Sequence, residues 1–209
     1  MKTDTTFTAF AGCCLVASGS INETVLRVKQ LLDQEEFAEI LIFEDQSGQQ
    51  IDFDFRGTPD EVLHRLTSHP HFASAAAAPK PRTGPGRPKL GVVCREISLL
   101  PRHWEWLERQ PSGISASLRR QTEEAMKRGA GKEHARLARE AAGKFMWTMA
   151  GNLPGFEEAS RALYAADRPR LEGIVRTWPE DVRNHLVRLF DESVRLEKEA
   201  ASSDRDGLK

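Results

Sequence analysis

The chain has 209 residues, of which 39% are hydrophobic and 29% are charged, and its formal net charge is −1. This composition is typical of a globular protein, and the length suits one domain or two to three small ones. No apolar run approaches the roughly 20 residues that a membrane span requires, and no secretory signal pattern is evident. We therefore expect a cytoplasmic protein without a membrane partner.

Charge is unevenly distributed along the chain. Residues 1–78 carry 5 Lys and Arg against 12 Asp and Glu, residues 79–139 carry 14 against 6, and residues 140–209 carry 11 against 13. A basic middle segment between acidic flanks favours contact with an anionic polymer such as nucleic acid. The alternative is that the basic and acidic parts neutralise each other within the molecule.

Residues 1–67 are predicted to form a small α+β domain with the order β-α-β-β-α. The first strand covers residues 5–16, with an interruption at Gly12, and further strands begin at Ile40 and Ile51. Each helix begins with a capping box, in which a hydroxyl residue is followed three positions later by a glutamate. These boxes are Ser20 with Glu23 and Thr58 with Glu61.

The rest of the chain divides by composition. Residues 68–91 are rich in Pro, Ala, Gly and basic side chains, which is typical of a linker. Residues 132–199 form a predicted helical region, with helices over 132–150, 156–165, 168–176 and 179–198. Residues 200–209 are predicted to be a disordered tail. The predicted fold class is α+β, with a central β-α-α segment over residues 92–128.

The sequence contains three cysteines, Cys13, Cys14 and Cys94. They cannot all pair, and we expect reduced thiols. The adjacent Cys13 and Cys14 form either a redox or metal pair or two small side chains buried at the end of a strand, and the pattern favours burial. No phosphate loop, dinucleotide fingerprint or nucleophile motif occurs, so we predict no cofactor, no metal site and no catalytic residue.

The central segment combines a short apolar strand over 92–100, a helix-opening Pro101, and Gly113-Ile114-Ser115-Ala116-Ser117 at the start of a second helix. Helical spacing places Trp104 and Leu107 together on the inward face of the first helix. This order resembles the ribbon-helix-helix family of bacterial DNA-binding proteins over about 36 residues. The resemblance implies a homodimer whose paired strands enter the major groove.

The resemblance also assigns roles to individual residues. Backbone N–H groups at Ser115 and Ala116 would hold a DNA phosphate, and Arg95 would read a base edge. Arg119 and Arg120 follow in the same helix and complete the predicted DNA contacts of this segment.

The strand departs from the family pattern because its alternation is inverted. Ile97 and Leu99 fall on outward positions, whereas Glu96 and Ser98 fall where the family buries apolar residues. Either the strand carries a bulge near Leu99, or the segment keeps the fold and has lost base readout.

A basic arm precedes this strand. Gly86-Arg87-Pro88 with Lys89 resembles the core of an AT-hook, in which an extended arginine lies in an A·T-rich minor groove, and Arg82 lies just before it. Pro85 stands where a full hook has a further basic residue. The alternative is chance occurrence of this tripeptide in a linker.

The whole chain resembles an uncharacterised bacterial family, domain of unknown function 2239. The segments that indicate this resemblance are residues 99–107 and 152–159. That resemblance implies a bacterial, intracellular protein and no activity. We therefore predict a non-enzymatic homodimer that binds double-stranded DNA, including A·T-rich duplex, as a transcriptional regulator or nucleoid-associated factor. The alternative is a dimeric adaptor in which the central segment only dimerises and the helical region binds a protein partner.

Overall fold

The computed structural model describes residues 5–34, 40–72, 93 and 95–206. The chain divides into two compact units: Met1–Ala76 with Gly131–Lys209 forms the first unit, and Ala77–Ala130 forms the second unit. The first unit contains a small antiparallel sheet together with helices. The predicted α+β class is confirmed.

The described strands form a sheet with the order β2-β1-β3-β4, and all neighbouring strands are antiparallel. The strands are β1 (Phe7–Ala11), β2 (Cys14–Gly19), β3 (Ile40–Glu44) and β4 (Gln49–Ile51). The predicted single strand over 5–16 is thus a hairpin, because Gly12 adopts a φ of +55° and starts a two-residue turn. The predicted order β-α-β-β-α is corrected to β-β-α-β-β-α.

The helices in the described ranges include two that follow strands of the sheet and five from residue 101 onward. They are α1 (Ile21–Asp33), α2 (Pro59–Ser68), α3 (Pro101–Glu108), α4 (Ile114–Ala150), α5 (Phe156–Tyr164), α6 (Arg168–Val175) and α7 (Glu180–Asp206). None of these helices has both the length and the apolar composition needed to cross a membrane.

Helices α1 and α2 share a hydrophobic core with one face of the sheet. Both predicted capping boxes are present: the Ser20 and Thr58 hydroxyl oxygens each accept from the backbone N–H three residues later, and their own backbone N–H groups donate to the carboxylate of that glutamate. The buried side chains of this core are Phe7, Ala9, Val25, Val28, Ile42, Ile51, Val62 and Leu66.

The opposite face of the sheet packs against the C-terminal helices. Because side chains alternate along a strand, Phe10 and Phe43 point away from Phe7 and Ile42. Both phenyl rings contact that of Phe145 in α4, with centroids 5.4 Å and 5.2 Å apart. Residues 1–67 and 132–199 therefore do not form separate domains: they complete one core, because strands buried on both faces need a second helical layer.

Two predicted boundaries in the C-terminal part are also corrected. Helix α4 continues through Gly129 and Gly131 to Ala150 instead of restarting at residue 132. Helix α7 continues to Asp206, so residues 200–206 are not the disordered tail that the composition predicts. Ala200 is buried, and a Cβ atom built at Gly131 would lie 2.8 Å from that of Ala200. The glycine lets α4 and α7 approach closely, which explains its place within a helix.

The adjacent cysteines lie at the tip of the β1–β2 hairpin. Cys13 occupies the turn, and Cys14 begins β2 opposite Ala11. Both side chains are exposed. The interpretation of these thiols as buried side chains is therefore wrong, because the turn at Gly12 ends the buried strand before it reaches them.

Candidate nucleic-acid interface

The described part of the predicted strand 92–100 comprises Val93 and residues 95–100, and it forms neither strand nor helix. Three of its large apolar side chains are exposed, Val93 by 73%, Ile97 by 54% and Leu100 by 51%, whereas Leu99 is half-buried. The strand prediction is wrong for these residues in the single chain. The physical reason is that a strand needs a neighbour for its N–H and C=O groups, and the described part of one chain provides none here.

Helix α3 begins at Pro101, as the sequence predicts. Its N-cap residue, Leu100, makes no side-chain capping bond, and the proline at the first helical position lacks an N–H that would need a partner. Leu107 is buried and Trp104 is half-buried, whereas Trp106 remains 49% exposed. The predicted inward face of Trp104 and Leu107 is confirmed.

Helix α4 begins at Ile114, directly after Gly113, whose φ is +77°. The N–H of Ser117 donates to the carbonyl oxygen of Gly113 at 3.0 Å, and the hydroxyl groups of Ser112 and Ser117 lie 2.9 Å apart. Ser117 is fully buried, so this bond fixes the turn between the two helices. The N–H groups of the first helical turn, including those of Ser115 and Ala116, have no acceptor within the helix and suit an anion.

The first two turns of α4 contain four of the predicted DNA-contacting residues. Ser115, Arg119 and Arg120 are exposed, and Ala116 is half-buried. Residues four apart share a helix face, so Ser115 lies beside Arg119 and Ala116 beside Arg120. The two exposed arginines thus follow one turn after Ser115 and Ala116 on the same helix faces.

The structure describes one of the other predicted contacts. Arg95 is exposed on the segment before α3. Arg82, Arg87 and Lys89, including the AT-hook-like arm, lie outside the described residues.

The charge of the described helical pair is balanced. Residues 95–126 contain five arginines and five glutamates, which give no net charge. The basic excess of the middle segment therefore comes from its two ends, since residues 79–94 and 127–139 each contribute a charge of +4. Long-range attraction of DNA by the helical pair alone is weak for this reason.

A groove of about 520 Å³ in the first unit was not predicted from the sequence. It lies between the β3–β4 turn, α4 and α5, and its lining includes Trp147, which is 71% exposed, and Tyr164, which is 56% exposed. Among its lining residues Lys144 carries the only charge, and its Nζ donates to the carbonyl oxygen of Ser47 at 3.2 Å. Helical spacing could have indicated that Trp147 lies on an exposed side of α4. The groove itself was not predictable, because the β3–β4 turn and α5 come from distant parts of the chain.

Comparison with protein-family models gives a match over most of the chain. The model of a family described as an uncharacterised protein conserved in bacteria (DUF2239) matches residues 6–190. Searches of curated proteins and of solved structures find no match. The matched range spans the sheet, the helical pair and most of the C-terminal helices, and the chain accordingly belongs to this bacterial DUF2239 family.

Proposed function

We propose that this protein is a homodimeric DNA-binding protein in which the second units of two chains pair and provide the DNA contacts. Helices α3 and α4 begin at Pro101 and Ile114, the positions that the ribbon-helix-helix resemblance requires. The function would be regulation of transcription or organisation of the nucleoid.

The exposed apolar surface of the second unit is the observation that supports the proposed dimer. Among the described residues of this unit, Leu107 is the large hydrophobic side chain that is buried. Units of this size rarely fold on so small a core, and exposed apolar surfaces commonly mark association sites. The large exposed side chains are Val93, Ile97, Leu100, Trp106 and Met126.

A second copy is the partner that fits this surface best. Residues 95–100 have no strand partner within the described part of the chain, and pairing with the same segment of another chain would satisfy their backbone groups. It would also cover Ile97 and Leu100. Strand formation on dimerisation explains why the single chain has no strand there.

DNA contact is supported by basic residues of the second unit. The arm over residues 80–89 contains four basic residues and no acidic one. Arg119 and Arg120 are exposed at the start of α4, beside N–H groups that suit a phosphate.

One observation favours the alternative function, a dimeric adaptor. Residues 95–126 carry no net charge, whereas a DNA-reading surface is usually basic. In that case the second unit would only dimerise, and another part of the chain would bind a protein.

The dimer is tested by light scattering on the purified protein. We expect a dimer for the wild type and a shift toward monomer for Ile97→Glu and Trp106→Glu, because each change places a charge in an apolar interface. Leu137→Glu is the matched control, since Leu137 is 42% exposed in the first unit. A monomeric wild type, or loss of the dimer in the control alone, would contradict the proposal.

DNA binding is tested by fluorescence anisotropy on A·T-rich and G·C-rich duplexes over a salt series. Replacing Arg87 and Lys89 by Ala, or Arg119 and Arg120 by Ala, should weaken binding and reduce the log–log salt slope by roughly one unit per lost phosphate contact. The control removes the same charge from the first unit through Arg161→Ala and Arg176→Ala. If the protein is a dimer that binds neither duplex at low salt, DNA binding is contradicted and the adaptor function is favoured.

A further inference from the structure

We propose that Cys13 and Cys14 form a dithiol site that chelates a thiophilic species, with trivalent arsenicals as the chemical class that fits it. Both thiols are free and exposed, and they are adjacent in the chain. Exposed thiols reach soft ligands from solvent, whereas buried cysteines are inert. This inference is independent of DNA binding.

The backbone of this site is fixed by the hairpin. Ala11 pairs with Cys14 across the turn, and the N–H of the next residue, Leu15, donates to Oδ2 of Asp181 at 2.9 Å. The backbone that carries the two thiols is therefore anchored to the sheet and to α7. A chelating pair held in this way loses less conformational entropy on binding than the same pair in a flexible chain.

The space around the turn is open. Gly12 adopts a positive φ, and a Cβ atom built there would meet no other atom within 4 Å. This geometry, with a glycine first and a residue of negative φ second, is typical of a type II′ hairpin turn. Both cysteine side chains are exposed, so a thiophilic ligand reaches them from solvent.

A bridging atom suits adjacent cysteines better than a direct disulfide does. Adjacent Cα atoms lie about 3.8 Å apart across a trans peptide, whereas disulfides normally join Cα atoms about 4.4–6.8 Å apart. An atom inserted between the two sulfurs enlarges the ring and removes part of this mismatch. The pair is therefore more suited to chelation than to oxidation.

The reaction with phenylarsine oxide involves no change of oxidation state. Each thiol gives its proton to the oxygen of the arsenical, two As–S bonds form, the bonds between arsenic and oxygen break, and one water molecule leaves. Arsenic remains trivalent and keeps its phenyl group. The product is a cyclic dithioarsenite at the hairpin tip.

The test is intact-mass analysis of the full chain, reduced with a phosphine and exposed to phenylarsine oxide in excess glutathione. We expect one phenylarsenic adduct per chain in the wild type and in the Cys94→Ser control. Cys13→Ser and Cys14→Ser should each bind on the order of 100-fold more weakly, because a single thiol forms no chelate and glutathione competes with it. Ethanedithiol should remove the adduct.

Two results would overturn the proposal. One is an adduct that survives glutathione in either single variant or that depends on Cys94. The other is equal affinity of the folded Cys94→Ser protein and of the same protein unfolded in urea, because the hairpin would then add nothing to the bare Cys-Cys sequence. Circular dichroism of each serine variant confirms that the fold is retained.

Discussion

Oδ1 of Asp45, in the turn after β3, lies 3.5 Å from Nε2 of His185 in α7, and their side chains are only 5% and 1% exposed. Among the described residues, neither of these two atoms has a hydrogen-bond partner. The other carboxylate oxygen accepts from Thr6 Oγ1 at 2.8 Å and from Arg188 Nη2 at 2.8 Å. The sheet and α7 thus meet at a buried polar pair within the first unit.

The imidazole of His185 is neutral at pH 7. The pKa of His185 is lowered from 6.5 to about 4, chiefly by burial; the Asp45 carboxylate opposes this shift and Arg188 adds to it. The rings of Phe10 and Phe145 lie 5.4 Å and 4.5 Å from the imidazole and exclude water from it. Arg188 therefore balances the charge of Asp45, and the 3.5 Å contact with His185 is not an ion pair at neutral pH.

The pH dependence of stability follows from this burial. Between pH 6.5 and about 4 the unfolded chain binds a proton at His185 that the folded protein does not bind. The contribution of His185 to stability is fully present above pH 6.5 and is lost as the pH falls from 6.5 toward 4, by roughly a few kcal/mol in total. Urea unfolding at pH 7, 6 and 5 should show a shallower loss in His185→Gln than in the wild type.

The matched control for this measurement is His134→Gln, which replaces an exposed histidine of α4. We expect the control to keep the wild-type pH dependence. Identical slopes for the wild type and His185→Gln would show that the buried imidazole takes up its proton without unfolding.

Phe145→Ala should be among the most destabilising changes in the first unit. Phe145 is fully buried and contacts Phe10 and Phe43 on the sheet, so its loss leaves a cavity where the two segments meet. We expect a loss of about 3–5 kcal/mol in the free energy of unfolding, measured by urea titration. Thr148→Ala, on the exposed side of the same helix, should stay within about 0.5 kcal/mol.

Two glycine substitutions should have opposite effects. Gly48 has a φ of +65°, and a Cβ atom there would overlap the backbone of Ala141 in α4, so Gly48→Ala should cost roughly 2 kcal/mol or more. Gly173 lies inside α6, and a Cβ atom there would meet nothing within 4 Å. Gly173→Ala should therefore stabilise by about 0.5–1 kcal/mol. Thermal unfolding of both variants measures the difference, and a neutral Gly48→Ala would contradict the close approach of the turn to α4.

A fragment of residues 1–76 should not fold alone. Without α4 and α7 it would expose Phe10 and Phe43 and leave Asp45 without Arg188. We expect a poorly dispersed proton–nitrogen NMR spectrum for the fragment and a well-dispersed one for the intact chain. A folded fragment would mean that the N-terminal segment is an independent domain after all.

Features that depend on a few neighbouring residues were predictable. The capping boxes at Ser20 and Thr58, the start of α3 at Pro101 and the start of α4 after Gly113 all appear where the sequence places them. Each depends on a local rule, such as a side chain that caps a nearby N–H or a glycine that accepts a positive φ. The same local signals place Ser115 and Ala116 in the first turn of α4, where contact with a phosphate stays a prediction.

Features that depend on contacts between distant residues were decided by the tertiary structure. Phe10 and Phe43 are apolar in the sequence, but only the packing of Phe145 against them shows which segment covers the second face of the sheet. Glycine disfavours the interior of a helix, yet Gly131 stays helical because Ala200 packs against it. The sequence by itself determined where most elements begin, since capping and turn geometry are local. The tertiary structure decided which segments share a core and which thiols are exposed, since burial depends on residues far apart in the chain.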